Sequence, residues 1–554
     1  MEIHFIILLP YLERKELFMK KLSKKSAALL VAGLVTCGLL AGCGGGDKAP
    51  AKDGGKAAAK TLTFGCQMYS DGLINPASQV NCAWNLSRFG IGQTLFKFDD
   101  NVKAVPQLAE SATPSDGNKT WTFKLKKGIK FSNGTEMTAT KVKESLDWIR
   151  EAGKKGSSNP TKFLDAGAVV TADDAAGTIT IKSEKAYPDM PASLADPAMC
   201  IIDVKGTKNL DSGVIGTGPY MVKTFKDHVG YEMVANPHYW NGKVPYEEVK
   251  IMFMGDASAK ANALRAGQID LAENIMNVAD LKALQGDKKF TVQIAPGTRC
   301  GFSWMNMREG RPLANKALRQ AVLKAIDYKT ICKSNTIGGL YTPGPSVIPS
   351  SLGYGFDKLK NPYEYDPEGA KKILDDAGIK DTNGDGIREI NGKNIELRYI
   401  SYANRLLNDF SDAHTQYLKA VGIGVKSEYG SSDDQWTKLV AGEYDFNNNN
   451  WNVMIAGAPT VYMANWYSKN KDNFCGFKSD AYDKAYEELR STMDTKRYAE
   501  LMQQCQQILI DEAAVLVDGY YNSCIIYNDK VGSAHMYPLD YYWITDEIKP
   551  AGAK

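Results

Sequence analysis

Histidine is scarce in this chain, with only five among 554 residues. The sequence also has no HExxH zinc motif, no GxSxG nucleophile elbow and no GxxxxGK[ST] phosphate loop. These absences exclude the enzyme classes that depend on such motifs, and we expect a protein that is not an enzyme. Paired carboxylates occur in any chain of this size, so a secreted hydrolase remains an alternative.

An excess of charge of one sign is also missing, since 67 Lys and Arg stand against 64 Asp and Glu. Residues 1–42 contain six basic and three acidic residues, so the chain from Cys43 onward is formally neutral. A neutral chain has no basic field to attract a polyanion, and we expect no nucleic-acid partner.

The ten cysteines form no CxxC pair and no Cys/His spacing typical of a zinc or redox site. In an exported protein, scattered thiols fit either disulfides or a reducing habitat, and both remain open. After Cys43 the sequence has no apolar run of membrane-spanning length.

The N-terminal region is organised like an export signal. Lysines precede an apolar run that ends in Leu40-Ala41-Gly42-Cys43, and this order is typical of a secretory signal peptide. Residues 1–18 place apolar and acidic residues ahead of those lysines, so we expect that the start is mis-assigned and that translation begins at Met19. We predict a signal peptide over 19–42 and a flexible tether over 43–60, which is rich in Gly, Ala and Lys.

Strand-like and helix-like segments alternate after the tether. Residues 121–126 alternate large apolar with polar side chains, which predicts a half-buried strand. Thr138 is placed to cap a helix that carries Val142, Leu146 and Ile149 on one face. Further helices are predicted over 318–326, 370–377 and 480–513, and further strands over 249–254, 302–305, 395–400 and 523–527. The mixture predicts an α/β fold.

Five groups of residues in fixed order resemble the extracellular solute-binding proteins, family 5, of peptide and nickel ABC importers. These groups are 106–111 with 121–142, 216–220, 236–240 with 263–270, 306 with 318–327, and 363–378. The segment that ends at Cys43 resembles a bacterial lipobox. That resemblance implies a diacylglycerol on the Cys43 sulfur and a protein held outside the cytoplasmic membrane, in the periplasm or on the outer face.

The resemblance implies a two-lobed, periplasmic-binding-protein-like fold of type II, with an inserted subdomain and a ligand cleft between the lobes. Lobe 1 would consist of residues 61–91, 214–297 and 517–554, the inserted subdomain of 92–213, and lobe 2 of 298–516. The implied protein is a monomer without a cofactor that closes on a peptide or a nickel-type chelate and delivers it to ABC permease subunits. A surface peptide receptor without transport remains an alternative.

Arginine and aromatic side chains are the candidates for the cleft. The planar fork of Arg binds a carboxylate through two hydrogen bonds, and aromatic side chains commonly line ligand pockets. Arg405 follows a predicted strand and precedes a predicted helix, which is the usual position of ligand contacts in α/β lobes. The ligand-binding candidates are Tyr69, Trp84, Arg88, Arg299, Arg405, Trp451 and Tyr462.

The segment after Tyr444 differs from that of the dipeptide-binding members. Their Asp-Pro is replaced by Gly457-Ala-Pro, which resembles the nickel-binding members. His228, His238 and His414 are dispersed, and we expect His238 and His414 to lie on the solvated surface. A nickel site built from protein histidines is therefore disfavoured, and nickel would arrive inside a carboxylate chelate held by the arginines.

Asp381, Asn383 and Asp385 resemble the start of a calcium loop, with Gly386 at the sixth position. The twelfth position is Gly392 rather than the bidentate Glu that such a loop requires. A Gly/Asp-rich turn before the predicted strand 395–400 is the alternative, and any calcium here would be structural.

Overall fold

The computed structural model describes residues 60–154, 164, 167–187 and 189–553. The predicted start at Met19, the signal peptide, Cys43 and the tether up to residue 59 lie outside the described residues. Within the described part, no helix has both the length and the hydropathy needed to cross a membrane.

The strands are β1 (Thr61–Cys66), β2 (Phe96–Phe98), β3 (Ala104–Pro106), β4 (Ala109–Ser115), β5 (Thr120–Leu125), β6 (Val169–Asp173), β7 (Thr178–Lys182), β8 (Tyr220–Lys226), β9 (Gly230–Ala235), β10 (Glu248–Phe253), β11 (Leu271–Glu273), β12 (Phe290–Met305), β13 (Tyr341–Thr342), β14 (Glu389–Ile390), β15 (Lys393–Asn394), β16 (Glu396–Tyr402), β17 (Gly424–Gly430), β18 (Phe446–Asn452), β19 (Val515–Asn528), β20 (Val531–Ser533) and β21 (Lys549–Pro550).

The α-helices are α1 (Val80–Arg88), α2 (Ala139–Lys154), α3 (Met190–Ser193), α4 (Ala257–Arg265), α5 (Val278–Gln285), α6 (Lys316–Ala325), α7 (Tyr328–Lys333), α8 (Pro367–Asp376), α9 (Leu407–Lys419), α10 (Ser432–Ala441), α11 (Pro459–Met463), α12 (Asp480–Leu489) and α13 (Thr495–Asp511).

Two long antiparallel strands, β12 and β19, run through the middle of the main sheet, whose order is β17-β16-β18-β12-β19-β11-β1-β10-β9-β8. Residues 290–296 of β12 pair with 522–528 of β19, the register shifts between Pro296 and Arg299, and 299–304 then pair with 515–521. We call the half that carries β1 and β8 to β11 lobe 1, and the half that carries β16 to β18 lobe 2. The predicted two-lobed α/β fold is confirmed, while the residue boundaries given above stay predictions.

The predicted inserted subdomain contains a four-stranded antiparallel sheet in the order β4-β5-β7-β6, against which α2 packs. Thr138 caps α2 as predicted, because its Oγ1 accepts from the Lys141 N–H at 3.3 Å. Val142, Leu146 and Ile149 are fully buried. The helical spacing in the sequence therefore identified the packed face of this helix correctly.

The prediction of one continuous helix over 480–513 is wrong. The segment forms two helices, α12 and α13, and Asp494 caps the second by accepting from the Arg497 N–H at 2.6 Å. The Ser491 hydroxyl donates back to the carbonyls of Glu487 and Glu488 at the end of the first. Side chains that bond to nearby backbone in this way favour helix ends over helix interiors.

Arg319 on α6 is a buried cation that joins two helix ends. Its guanidinium donates to the carbonyls of Glu512 and Ala513, which directly follow α13. It also donates to the carbonyls of Leu313 and Ala314, in the 3-10 turn that precedes α6. Because α13 ends at Asp511, these bonds satisfy carbonyls that otherwise lack partners.

We expect Arg319→Met to lower the free energy of unfolding by about 3 kcal/mol, because it leaves buried carbonyls without donors. Chemical denaturation checks this. The matched control is Arg497→Met, which removes an exposed ion pair with Glu488 and should change the unfolding midpoint little. Equal losses in the two variants would contradict the assigned role.

Candidate functional site

Three arginines lie close together at the junction of the lobes, and two of them bind the same carboxylate. Arg88 ends α1, Arg299 lies in β12 just after the register shift, and Asp540 lies in the C-terminal segment. Arg88 donates from Nη2 to Asp540 Oδ2 at 2.7 Å and from Nε to the Asp540 carbonyl at 2.6 Å. Arg299 Nε donates to the same Oδ2 at 3.2 Å. One aspartate therefore orients two of the predicted arginines.

The third arginine, Arg405, reaches the cluster from lobe 2. It follows β16 and precedes α9, as the sequence predicted, and its Nη2 donates to the hydroxyl of Tyr69 at 3.0 Å. Tyr69 follows β1 in lobe 1, so this bond connects the two lobes. No carboxylate among the described residues lies within ion-pair distance of Arg405.

Aromatic rings separate the guanidinium groups from one another. The ring of Trp84 lies 5.3 Å from the guanidinium carbons of both Arg88 and Arg299, and Tyr69 lies 5.3 Å from that of Arg88 and 5.7 Å from that of Arg405. Trp84 and Arg88 are four residues apart on α1 and therefore share a helix face. The structure thus brings together five of the seven predicted residues.

The cluster is desolvated and carries more positive than negative charge. Arg88, Arg299, Arg405 and Asp540 are 3%, 6%, 8% and 4% exposed. Burial alone would raise the pKa of Asp540, but Arg299, Arg88 and Arg405 outweigh it and hold that pKa well below its usual range. The ion pairs with Asp540 therefore contribute stability above the ordinary Asp pKa, and this contribution is lost only as the pH falls through the depressed value.

Several N–H groups of the cluster have no acceptor. Arg88 Nη1, Arg405 Nε and Trp84 Nε1 are buried and make no hydrogen bond. One of these residues, Arg405, lines a cavity of about 300 Å³ together with Tyr69 and Tyr521, and Glu273 and Asp409 also lie in its wall. Buried donors without partners are costly, so the arrangement is suited to an anion with several acceptor oxygens.

Trp451 and Tyr462 lie elsewhere. They pack in an aromatic cluster of lobe 2 against Phe302, at ring separations of 5.8 and 6.0 Å, and this cluster also includes Trp304 and Trp466. Neither ring makes a ring or hydrogen-bond contact with the arginines. Their assignment to the cleft stays a prediction.

Asp540 is the residue that sequence reasoning missed. It lies in the aromatic-rich run Leu539-Asp-Tyr-Tyr-Trp543 near the end of the chain. Its side chain bonds Arg299 and Arg88, which lie 241 and 452 positions earlier in the sequence. An acidic residue inside an apolar run indicates a buried carboxylate, and buried carboxylates are normally paired with a cation. This pattern could have identified Asp540 as a partner of the arginines.

The prediction that His414 lies on the solvated surface is wrong. Its side chain is fully buried on α9, where Nδ1 bonds the Tyr399 hydroxyl at 3.0 Å. The position faces the sheet, so packing decides its environment. His238 is exposed as predicted.

The calcium-like segment forms a turn held by its own side chains. The Asp381 carboxylate accepts from the backbone N–H groups of Gly384 and Gly386, and Asp385 accepts from Ile387 and Asn394. Calcium binding there stays a hypothesis.

The eight cysteines of the described region are buried and free.

A two-lobed α/β body with a charged cluster at the lobe junction has the architecture of a solute-binding protein. The family model "Bacterial extracellular solute-binding proteins, family 5 Middle" matches residues 103–474, and the chain belongs to this family.

Named relatives and solved structures agree with this family. The probable D,D-dipeptide-binding periplasmic protein of Escherichia coli K12 is 28% identical, over 74% of this chain and 77% of its own. NikA from Staphylococcus aureus, solved in complex with Ni(L-His)2, superposes with a TM-score of 0.74 at 21% identity, covering 89% of this chain and all of the other. AppA from Bacillus subtilis, solved with a nonapeptide, has a TM-score of 0.73 at 20% identity, covering 89% and 99%.

We expect Asp540→Asn to lower the free energy of unfolding by about 3 kcal/mol, because removing one partner of a buried pair leaves the other charge uncompensated. Asp376→Asn, which loosens an exposed pair with Lys372, is the control and should leave the denaturation midpoint in place. An unchanged midpoint for Asp540→Asn would show that the aspartate does not organise the arginines.

Proposed function

We propose that this protein is an extracytoplasmic solute-binding protein of an ABC importer that captures a small carboxylate-bearing solute by lobe closure. The solute is a peptide or a carboxylate chelate of nickel. The observation that carries the proposal is the buried cluster of three arginines, which faces one aspartate.

The charge of the cluster supports a carboxylate ligand. Buried charges are normally paired, and Arg88, Arg299 and Arg405 exceed Asp540 by two positive charges. A carboxylate supplies negative charge and accepts several hydrogen bonds at once. The unpartnered N–H groups of Arg88, Arg405 and Trp84 are the donors such a ligand would use.

Contacts across the lobes support closure as the capture step. Arg405 and Tyr69 meet from opposite lobes at 3.0 Å. A second bond joins α3, in the predicted inserted subdomain, to the segment that follows β18 in lobe 2. There the Ser193 hydroxyl donates to the Ala456 carbonyl at 3.3 Å. A solute that bonds both lobes shifts an equilibrium between open and closed forms toward the closed one.

The relatives support both solute classes. One is named for D,D-dipeptides, another is named as a nickel-binding periplasmic protein and is 24% identical over 83% of this chain, and the S. aureus structure holds nickel with histidine. Peptides and histidine both carry a free carboxylate, which is the group the arginine cluster suits. We propose delivery of the closed form to permease subunits, from a position anchored by a lipid on Cys43.

We expect native mass spectrometry of the chain from Gly44, purified without refolding, to show a bound solute that carries a carboxylate. A ladder of peptide masses would identify the peptide class, and one mass with a nickel isotope pattern the chelate class. Protein that purifies without solute, and binds neither dipeptides nor nickel–histidine, would contradict the proposal.

We expect Arg405→Ala to weaken binding of that solute about 100-fold or more, because truncating one side of a buried charged contact typically costs 2–5 kcal/mol. Arg398→Ala is the matched control, since Arg398 lies on β16 but pairs with Glu428, and it should leave affinity unchanged. Isothermal titration after ligand removal makes the comparison. Equal affinities would remove Arg405 from the site.

We expect Cys43→Ser to release the protein from the membrane fraction into the soluble fraction, because the serine hydroxyl lacks the sulfur that would carry the lipid. Cys37→Ser is the control and should remain with the membrane. A Cys43→Ser protein that fractionates like the control would contradict the anchor.

A further inference from the structure

Strand β18 carries four consecutive asparagines, Asn447 to Asn450, all nearly or fully buried. Because side chains alternate along a strand, Asn447 and Asn449 lie on one face of the sheet and Asn448 and Asn450 on the other. On one face, Gln435 of α10 donates to Asn447 and Asn449, and Asn449 donates to Asn447. The amides of this face satisfy one another.

On the other face the amide oxygens have no donor. Asn450 Nδ2 donates to the Tyr341 hydroxyl at 3.0 Å, and Asn448 Nδ2 donates to the Leu407 carbonyl at 3.1 Å. These bonds fix the orientation of both amides. Oδ1 of Asn448 and of Asn450 is then left buried without a hydrogen-bond partner.

The carboxylate of Asp518 on β19 also lacks well-formed hydrogen bonds. Gly519 pairs with Gly301 and Val517 with Phe302, so Asp518 is the extra residue of a β-bulge, a feature that redirects a side chain. Its side chain is fully buried, and neither oxygen accepts a hydrogen bond of ordinary geometry. Burial raises the pKa of this carboxyl well above its usual range, and a hydrogen-bonding interaction with the Asn448 side chain opposes that rise only in part.

The absence of a side chain at Gly301 lets these groups lie close together. This glycine lies between Asn450 of β18 and Gly519 of β19. A Cβ at Gly301 would lie 3.0 Å from Cε1 of Tyr341 and 3.4 Å from Oδ2 of Asp518. Glycine inside a central strand commonly marks a place where another group approaches closely.

We propose that Asp518, Asn448 and Asn450 bind a monovalent alkali cation, Na⁺ or K⁺, inside lobe 2. Carboxylate and amide oxygens are the ligands that hard cations prefer. One carboxylate neutralises one positive charge, whereas a divalent ion would leave a net buried charge, which is costly. This inference goes beyond the proposed function and does not depend on it.

The groups around Asp518 add no counter-charge. His414 Nε2 lies 3.8 Å from Asp518 Oδ1, and burial lowers the pKa of His414 to about 3, so this ring is neutral. The other titratable groups around Asp518 are Tyr328, Tyr341, Tyr399, Cys300 and Cys332, and burial raises the pKa of each, so all of them are neutral near pH 7. A proton on Asp518 is the competing solution, but one O–H group links a single carboxyl oxygen to a single acceptor and leaves two of the four unpartnered oxygens unsatisfied.

The same residues hold the turn that carries Arg405. The Tyr341 hydroxyl donates to the Arg405 carbonyl at 2.7 Å, and Asn448 bonds the Leu407 carbonyl. Arg405 and Leu406 both have positive φ, 49° and 59°, a conformation that is strained for such side chains. A cation bound there would therefore stabilise the strained turn at Arg405 and Leu406 from inside lobe 2.

The test compares thermal unfolding of the whole protein in NaCl, in KCl and in N-methyl-D-glucamine chloride at equal concentration. We expect one alkali salt to raise Tm by about 3 °C or more, as binding to the folded state alone requires. Asp518→Asn should show one Tm in all three salts. Asp203→Asn, which alters a carboxylate paired with Lys141, should keep the response.

A second measurement covers the case in which Asp518→Asn does not fold. Crystals of the unchanged protein grown in Tl⁺ or Rb⁺ should show an anomalous peak among Asp518, Asn448 and Asn450. Equal Tm values in the three salts, a response that persists in Asp518→Asn, or stabilisation by Ca²⁺ alone would overturn the cation site. Failure to bind a carboxylate solute would contradict the proposed function and leave this result untouched.

Discussion

The buried attraction between Asp540 and the guanidinium groups is the interaction on which the rest of the site depends. Arginines confined this close together repel one another, and burial makes that repulsion stronger than it would be in water. A single carboxylate from the C-terminal segment joins α1 to β12, so this segment fixes the geometry of a cluster whose arginines come from three separate parts of the chain. The charge that Asp540 does not neutralise is available to a ligand.

In the proposed function, the cluster also connects ligand binding to lobe closure. Arg299 lies where the pairing of β12 and β19 changes register, Arg405 extends from lobe 2, and Tyr69 meets it from lobe 1. An anion bound among them contacts both lobes and the crossing strands together. In the proposed function, the same contacts would provide affinity and stabilise the closed form.

Sequence reasoning found the helices and strands whose apolar spacing is regular, such as α2 and β5, because burial of one face imposes that spacing. Residue type and local context made Arg88, Arg299 and Arg405 candidates for an anion site; the structure brings the three together, and their part in ligand binding stays a prediction. Sequence reasoning missed Asp540 and misplaced His414, because both depend on contacts between distant parts of the chain. The break between α12 and α13 was missed because Asp494 acts through one local cap in an otherwise helical pattern.

Whether the arginine cluster binds a carboxylate can be measured with a matched pair of ligands. Isothermal titration of the ligand-free protein would compare the solute that copurifies with the same solute whose carboxylate is converted to a primary amide. We expect the amide to bind at least about 100-fold more weakly, since it brings no charge to the buried guanidinium groups. Equal affinity for the acid and the amide would contradict carboxylate binding by the cluster.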